Sequence, residues 1–131
     1  MQEIYNLGLS ENTIRTMLEL NPELKDITDQ EVIEKRQILE KIGCNASEIR
    51  NIISSNSLFL TRTNGEIINL ISRLMELGFD TLNILFDSNP YILNMEPFEV
   101  NNYINSRLDN DESLEDIIDD LDSNPYLFNE F

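Results

Sequence analysis

An eight-residue segment, Asp122 to Asn129, repeats the segment Asp87 to Asn94 thirty-five residues upstream with six of its eight positions identical. The asparagine of this segment recurs along the chain with spacings of 35, 33 and 35, at Asn21, Asn56, Asn89 and Asn124. A second marker, an aliphatic residue followed by glycine, recurs every 35 residues at Leu7-Gly8, Ile42-Gly43 and Leu77-Gly78. Two markers with one period predict an all-α helical repeat array, or α-solenoid, in which each unit buries its apolar face against its neighbours.

Each unit is predicted to contain a short helix, an asparagine turn, a longer helix and a glycine turn. The Asn-Pro pair stops the first helix because proline disfavours helical dihedrals in the preceding residue. Capping-box patterns begin the longer helices at Thr28 to Glu31 and at Thr63 to Glu66. We expect a single domain of about seven helices and three and a half units, with units at about 7–41, 42–76, 77–109 and 110–131.

The last two units carry the same pattern with changes. In the third, Asp80 is the expected helix cap, ahead of a buried stripe that includes Leu82. In the fourth, a helix from about Glu112 to Leu121 places four apolar side chains on one face, and the sequence ends where a second helix would begin. These four side chains are Leu114, Ile117, Ile118 and Leu121.

Composition narrows the functional classes. With 40% apolar residues and no basic leader or long apolar run, we expect a cytoplasmic protein that does not bind membranes. Cys44 is the only cysteine and the chain has no histidine, so a disulfide framework and the usual zinc site are excluded. Carboxylates are abundant, but no phosphate-binding glycine loop or nucleophile with a base accompanies them. We therefore expect no enzyme activity, no catalytic residue, no metal and no cofactor.

The negative charge lies mainly in the C-terminal half. The net charge is −16, and residues 1–73 carry eight basic and eleven acidic side chains. Residues 74–131 carry fourteen acidic side chains and one basic side chain, Arg107. Such a surface repels phosphate backbones and anionic membranes and attracts basic partners. We therefore expect a monomer that binds a basic protein, with no direct binding of nucleic acid.

The repeat pattern resembles that of the mitochondrial transcription termination factor (mTERF) family. The resemblance rests on leucine-glycine, a short isoleucine-rich helix, Pro-x-Leu and a longer helix, and the segments Leu7 to Leu24 and Leu77 to Leu93 carry it best. It implies a curved α-helical superhelix, and many family members bind nucleic acid along a basic inner path. The chain departs from the family in its acidity, in Ser57 at a proline position, and in a fourth unit without leucine-glycine.

Two charged sets are candidate sites. A basic row could remain from a nucleic-acid path, because Arg15 and Arg50 lie one repeat apart; Arg62 and Arg73 complete the candidate set. The alternative is that these arginines are solvated or paired with acids. The densest acidic set has eight carboxylates in fourteen residues: Asp109, Asp111, Glu112, Glu115, Asp116, Asp119, Asp120 and Asp122.

The acidic set has three interpretations. It is either a solvated outer face that keeps a terminal repeat soluble, or a docking face for a basic protein, including a face that imitates a row of phosphates. A calcium loop starting at Asp109 is disfavoured because Leu114 stands where the sharp turn needs glycine. The protein-binding interpretation is our first choice, followed by a nucleic-acid mimic that inhibits a DNA- or RNA-binding protein, and then by direct nucleic-acid binding.

The open end of the array is the third candidate. Its apolar side chains are Tyr126, Leu127, Phe128 and Phe131. They either fold back and complete the core or stay available to a partner, because an uncovered apolar stripe invites association. We favour the fold-back, since Tyr91, Ile92 and Leu93 hold the equivalent positions and are expected to be buried.

Overall fold

The computed structural model describes residues 2–130, except for the side chain of Glu130. This range contains nine α-helices and three 3₁₀ helices but no β-strand, which confirms the all-α prediction. The α-helices are α1 (Gln2–Asn6), α2 (Glu11–Leu20), α3 (Asp29–Lys41), α4 (Ala46–Ser55), α5 (Leu58–Thr61), α6 (Asn64–Leu77), α7 (Leu82–Ser88), α8 (Pro97–Leu108) and α9 (Leu114–Ser123). The 3₁₀ helices are Pro22–Asp26, Pro90–Asn94 and Pro125–Glu130. None of the helices in residues 2–130 is long and apolar enough to span a membrane.

The repeat unit has the predicted order. The short helices α2, α4, α7 and α9 each end at the turn asparagine, and a 3₁₀ helix or α5 follows. The longer helices α3, α6 and α8 complete the first three units. The two helices beyond the expected seven are the short segments α1 and α5. In the second unit the turn forms α5 instead of a 3₁₀ helix, and Ser57 stands there in place of proline.

Side-chain caps fix where most helices begin. Thr28, Asn45 and Thr63 each accept a hydrogen bond from the third backbone N–H of the following helix. Two predicted starts are wrong. The first bonds of α7 go to the carbonyl of Thr81 rather than Asp80, and Ser113 caps α9 by accepting the N–H of Asp116, so α9 begins at Leu114.

The turn that ends each longer helix requires a left-handed residue. Gly8, Gly43 and Gly78 have φ of 88°, 100° and 111°. Asp111 has φ of 65° and occupies the same place after α8. The turns at Gly78 and Asp111 close in the same pattern, because the next N–H, of Phe79 or Glu112, bonds to the carbonyl of Leu74 or Arg107. The fourth unit therefore keeps the turn although it lacks leucine-glycine, because aspartate tolerates this conformation better than most residues.

The turn asparagines form a ladder of buried amides between units. Asn56 Nδ2 donates to the carbonyl of Pro90 over 3.0 Å, and Asn89 Nδ2 donates to the carbonyl of Pro125 over 3.1 Å. Both side chains are buried. Asn21 is buried as well, but within the described residues its Nδ2 has no partner. At Asn56 and Asn89 the recurring asparagine therefore forms a hydrogen bond across units as well as ending a helix.

The C-terminal segment folds back onto the array. Phe128 is buried, and its ring centroid lies 5.1 Å from that of Tyr103 and 6.4 Å from that of Phe79. The expected burial of Tyr91 is wrong, because that side chain is 49% exposed whereas Ile92 and Leu93 are buried. Residues directly after the turn proline point outward, and Tyr126 is exposed in the same way.

Candidate functional site

The acidic candidates lie on and around α9, opposite its buried side chains. Ile117, Ile118 and Leu121 face the core, whereas Leu114 is partly exposed, so the predicted four-residue stripe is one residue too long. Most of the carboxylates are exposed; these are Asp109, Asp111, Glu115, Asp116, Asp119 and Asp120. Glu112 and Asp122 are half-buried. The helix therefore presents one anionic surface to solvent.

Arg107 neutralises part of this surface. Its Nε donates to Glu112 Oε2 over 2.7 Å, and its Nη2 bonds to both Glu112 and Asp120. Its Nη1 donates to the hydroxyl of Tyr103 over 3.1 Å. The guanidinium holds the pKa of the Glu112 carboxyl below its usual range. The basic residue of the C-terminal half is thus already occupied in joining α8 to α9.

A second group of carboxylates has no cation beside it. Asp80, Glu115, Asp119 and Asp122 line a cleft of about 350 Å³ between the turn after α6 and the exposed side of α9, which we call the acidic notch. Burial raises the pKa of Asp122, and the charges of Asp80 and Asp119 raise it further. Within residues 2–130 no ion pair reaches these four carboxylates, and no group of them has an arrangement that could hold a metal ion.

The candidate basic row is not a free surface. Arg62 is almost buried and donates to the carbonyls of Leu93 and Met95 over 2.6 and 2.9 Å and to Glu96 over 2.6 Å. Arg73 donates to Asn101 over 2.6 Å and pairs with Glu76 at 3.4 Å. These two arginines join the second unit to the third, so the structure assigns them a role in packing.

Arg15 and Arg50 differ from the other two arginines. Arg15 is exposed on α2, and Arg50 is half-buried on α4 beside the turn at Gly8, where an added Cβ would lie 3.5 Å from Arg50 Cδ. Neither forms an ion pair with another residue in the described range. The proposed row of four is therefore reduced to two cations on neighbouring units.

The open-end candidates also divide into side chains that pack in the core and a side chain that is exposed. Phe128 belongs to the core and Leu127 packs partly against it, so neither presents the docking surface that an unfolded tail would offer. The Phe128 ring packs against Tyr103 of α8 and against Phe79, and this contact buries it. Tyr126 is 47% exposed, and Phe131 lies outside the described residues.

The sequence analysis missed a larger feature, an open groove between α3 and α6. This groove, the α3–α6 groove, has a volume of about 960 Å³ and continues at Gly78 and Asp80 into the acidic notch. Its lining includes the charged side chains Glu34 and Lys41. It also includes seven apolar side chains: Ile38, Ile42, Ile68, Ile71, Met75, Phe79 and Leu82. Ile68 and Met75 are 49% and 59% exposed. They lie seven residues apart, outside the buried stripe of α6, and this extra apolar spacing was the signal available in the sequence.

The lone thiol offers no reactive site. Cys44 is buried after the Gly43 turn, and burial raises the pKa of Cys44 to about 12, with Glu48 and Asp87 adding to the effect. A thiol with such a pKa is protonated at neutral pH and is a poor nucleophile. Its role is therefore packing.

These features define a class, the α-helical repeat proteins whose units stack through buried asparagine amides and left-handed turns. The sequence profile of the mTERF family matches residues 2–107, which is most of the chain. The chain belongs to the mTERF family, as its repeat pattern indicated. No curated protein and no solved structure matches it.

Proposed function

We propose that this chain is a non-enzymatic, macromolecule-binding member of the mTERF family that binds a basic protein through its acidic C-terminal half. The observation that supports this most strongly is the anionic surface of α9, whose nearby cation, Arg107, already bonds to Glu112 and Asp120. A basic partner would supply the charge that the chain itself lacks. We place this interaction in the cytoplasm and take the protein to be a monomer.

The pairing of Arg62 and Arg73 also supports a protein partner. A duplex is held by several cations that neutralise successive phosphates, and each contact adds to the salt dependence of binding. Arg62 is committed to carbonyls and to Glu96, and Arg73 to Asn101 and Glu76. Two remaining arginines beside many acids would give weak duplex binding at physiological salt.

Direct nucleic-acid binding is the second candidate function. The match to the mTERF family favours it, and so does the position of Arg15 and Arg50 on successive units without ion pairs in the described range. A nucleic-acid mimic is a special form of our first proposal, in which the basic partner's own nucleic-acid groove receives the carboxylates of α9. Competition with nucleic acid for that partner would identify the mimic.

The test uses two variants with equal loss of charge. One carries Glu115→Gln, Asp116→Asn and Asp119→Asn on α9; its control carries Glu11→Gln, Glu19→Gln and Glu23→Gln, all exposed near the other end. Each is used for affinity capture from the native cell with mass spectrometry, with and without nuclease. We expect the wild type and the control to retain a basic protein after nuclease treatment, and the α9 variant to lose it.

Three results would contradict the proposal. The α9 variant could retain the partner as well as the control does, or nuclease could release it. In a separate titration, wild-type protein could bind duplex DNA with sub-micromolar affinity that falls as salt is added. That third result, abolished by Arg15→Gln with Arg50→Gln, would establish the second candidate instead.

A further inference from the structure

The α3–α6 groove and the acidic notch form one continuous surface with two chemistries. Gly78 and Asp80 line both, so the apolar groove opens directly onto the carboxylates of α9. The walls are formed mainly by α3 and α6, and α3 also contributes the charged side chains Glu34 and Lys41. The stretch of α6 from Asn64 to Met75 is about 16 Å long at about 1.5 Å per residue, which is the length of about three helical turns.

We propose that this surface binds an amphipathic helix of a partner protein, with the helix's apolar side chains between α3 and α6 and its lysine or arginine side chains in the acidic notch. The proposal rests on the proposed function and specifies where and how the basic partner binds. An amphipathic helix in an apolar groove is a recurrent mode of peptide recognition.

The apolar part of the argument comes from exposure. Ile68 and Met75 are large and about half exposed, and with Ile38 and Ile42 they line a single groove. Adjoining apolar side chains on the surface of a soluble protein mark an interaction site when they form one patch. On α6, by contrast, Arg73 bonds to Asn101 of α8 over 2.6 Å.

The charged part of the argument comes from the acidic notch. Four carboxylates surround it, and the nearest C-terminal cation, Arg107, is bonded elsewhere. The raised pKa of Asp122 shows that a negative charge there is disfavoured by burial and by Asp80 and Asp119. The four carboxylates that line the notch are complementary in charge to a lysine or arginine side chain. A nucleic acid fits this surface poorly, because its phosphates would lie against carboxylates and apolar walls.

The probe is a fluorescent, amidated helical peptide of about 16 residues. It carries leucines at i, i+3, i+4 and i+7 and lysines in one terminal turn; two versions place the lysines in the first or the last turn. A third peptide has the same composition with its leucines out of register. We expect one in-register version to bind the wild type at least ten-fold more tightly than the third peptide.

Matched variants then test each part of the surface by fluorescence anisotropy. Ile68→Asp and Met75→Asp should each weaken binding about ten-fold or more, whereas Ile84→Asp, at a side chain 53% exposed outside the groove, should leave it unchanged. Asp119→Asn with Asp122→Asn should weaken binding several-fold and reduce its salt dependence. Circular dichroism and the melting temperature confirm that each variant is folded.

The outcomes separate this inference from the proposed function. If Ile68→Asp and Met75→Asp bind the peptide as the wild type does while loss of the α9 charges still abolishes partner capture, the groove inference is wrong and the proposed function stands. If the in-register and out-of-register peptides bind equally, the groove inference is wrong as well. The inference is also wrong if the wild type is a dimer that Met75→Asp converts to a monomer, because the groove would then bind a second copy. It is equally wrong if the wild type binds duplex DNA and Met75→Asp abolishes that binding.

Discussion

The junction between the second and third units and the junction between the third and fourth share one backbone design. Each has a left-handed turn, at Gly78 or at Asp111, and each has an asparagine amide bonded to a proline carbonyl of the next unit. The side chains that reinforce the two junctions differ. Arg62 is nearly buried and bonds to two backbone carbonyls and to Glu96, whereas Arg107 bonds to two carboxylates near the surface.

This difference has a physical consequence. The two bonds from Arg62 to neutral carbonyls do not depend on carboxylate titration, whereas the pair between Arg107 and Glu112 weakens when Glu112 is protonated. The attachment of the last unit therefore responds to pH and salt, whereas the inner junction keeps two carbonyl bonds that do not, beside its ion pair with Glu96. The same C-terminal end also carries the excess of negative charge.

The largest effect is expected from the shared part of the design. Asn89→Ala removes the donor to the buried carbonyl of Pro125 and the acceptor for the partly buried N–H of Tyr91. We expect a loss of about 2–3 kcal/mol in the free energy of unfolding, measured by urea denaturation. Asn124→Ala is the control, because Asn124 is exposed, and it should cost less than about 0.5 kcal/mol. Equal losses would show that the ladder does not stabilise the array.

A smaller effect is expected from Arg107→Gln, which breaks the pairs at the last junction. The melting temperature at neutral pH should fall by a few degrees. Because Arg107 holds the pKa of Glu112 below its usual range, this stabilisation is present above the unfolded carboxyl pKa of about 4.3 and is lost as pH falls through the lowered folded-state pKa.

The difference in melting temperature between the wild type and Arg107→Gln should therefore disappear in acid. Arg36→Gln is the control. It should change the melting temperature less, because Arg36 pairs at longer distances of 3.4 and 3.6 Å with Glu3 and Glu40. A difference that persists undiminished at low pH would mean that Arg107 acts through packing against Tyr103 rather than through its ion pairs.

The left-handed turn allows a matched pair of substitutions at Asp111. Asp111→Gly and Asp111→Ala remove the same charge, but only glycine adopts a φ near 65° without a steric penalty. We expect the glycine variant to be more stable than the alanine variant by roughly 1 kcal/mol. Chemical denaturation measures the difference. Equal stabilities would show that the turn relaxes to another conformation when aspartate is removed.

The smallest effect is expected at the acidic notch. Burial, Asp80 and Asp119 raise the pKa of Asp122, so its ionised form destabilises the fold at neutral pH. This penalty is complete above the raised pKa and absent below the unfolded pKa. Asp122→Asn should therefore raise the melting temperature slightly at pH 7 and have no such benefit in acid, the reverse of the trend for Arg107. Asp26→Asn, at an exposed position, should change little at either pH.

The sequence predicted the array because its markers act locally. Asparagine, glycine and capping residues set the ends of helices within a few residues, and their recurrence at Asn56, Asn89 and Gly78 disclosed the unit. The turn at Asp111 was not predicted because aspartate occurs in several backbone conformations and, unlike glycine, does not mark a left-handed turn. The expected burial of Tyr91 failed because apolar character does not show which side of a turn a residue faces.

The site depended on contacts between units, which leave little trace in the sequence. The bonds of Arg62 to the carbonyls of Leu93 and Met95 could not be predicted, because every residue has a backbone carbonyl and the sequence does not mark which ones an arginine reaches. The sequence therefore suggested a basic row instead. The α3–α6 groove arises from the spacing of two helices, and only Ile68 and Met75 hinted at it. The acidity of α9 could be predicted from the sequence, whereas the bonds of Arg107 to Glu112 and Asp120 could not.

The missing partner of Asn21 has a consequence for how the array opens. Each ladder amide couples only two adjacent units, so neighbouring units unfold together where the bond exists and more independently where it does not. Asn56 and Asn89 have this bond, whereas Asn21 Nδ2 has no partner in the described residues. Amide protons of α2 should therefore exchange with solvent through a local opening of lower free energy than those of α4 and α7. The N-terminal unit would open first while the rest of the array stays closed.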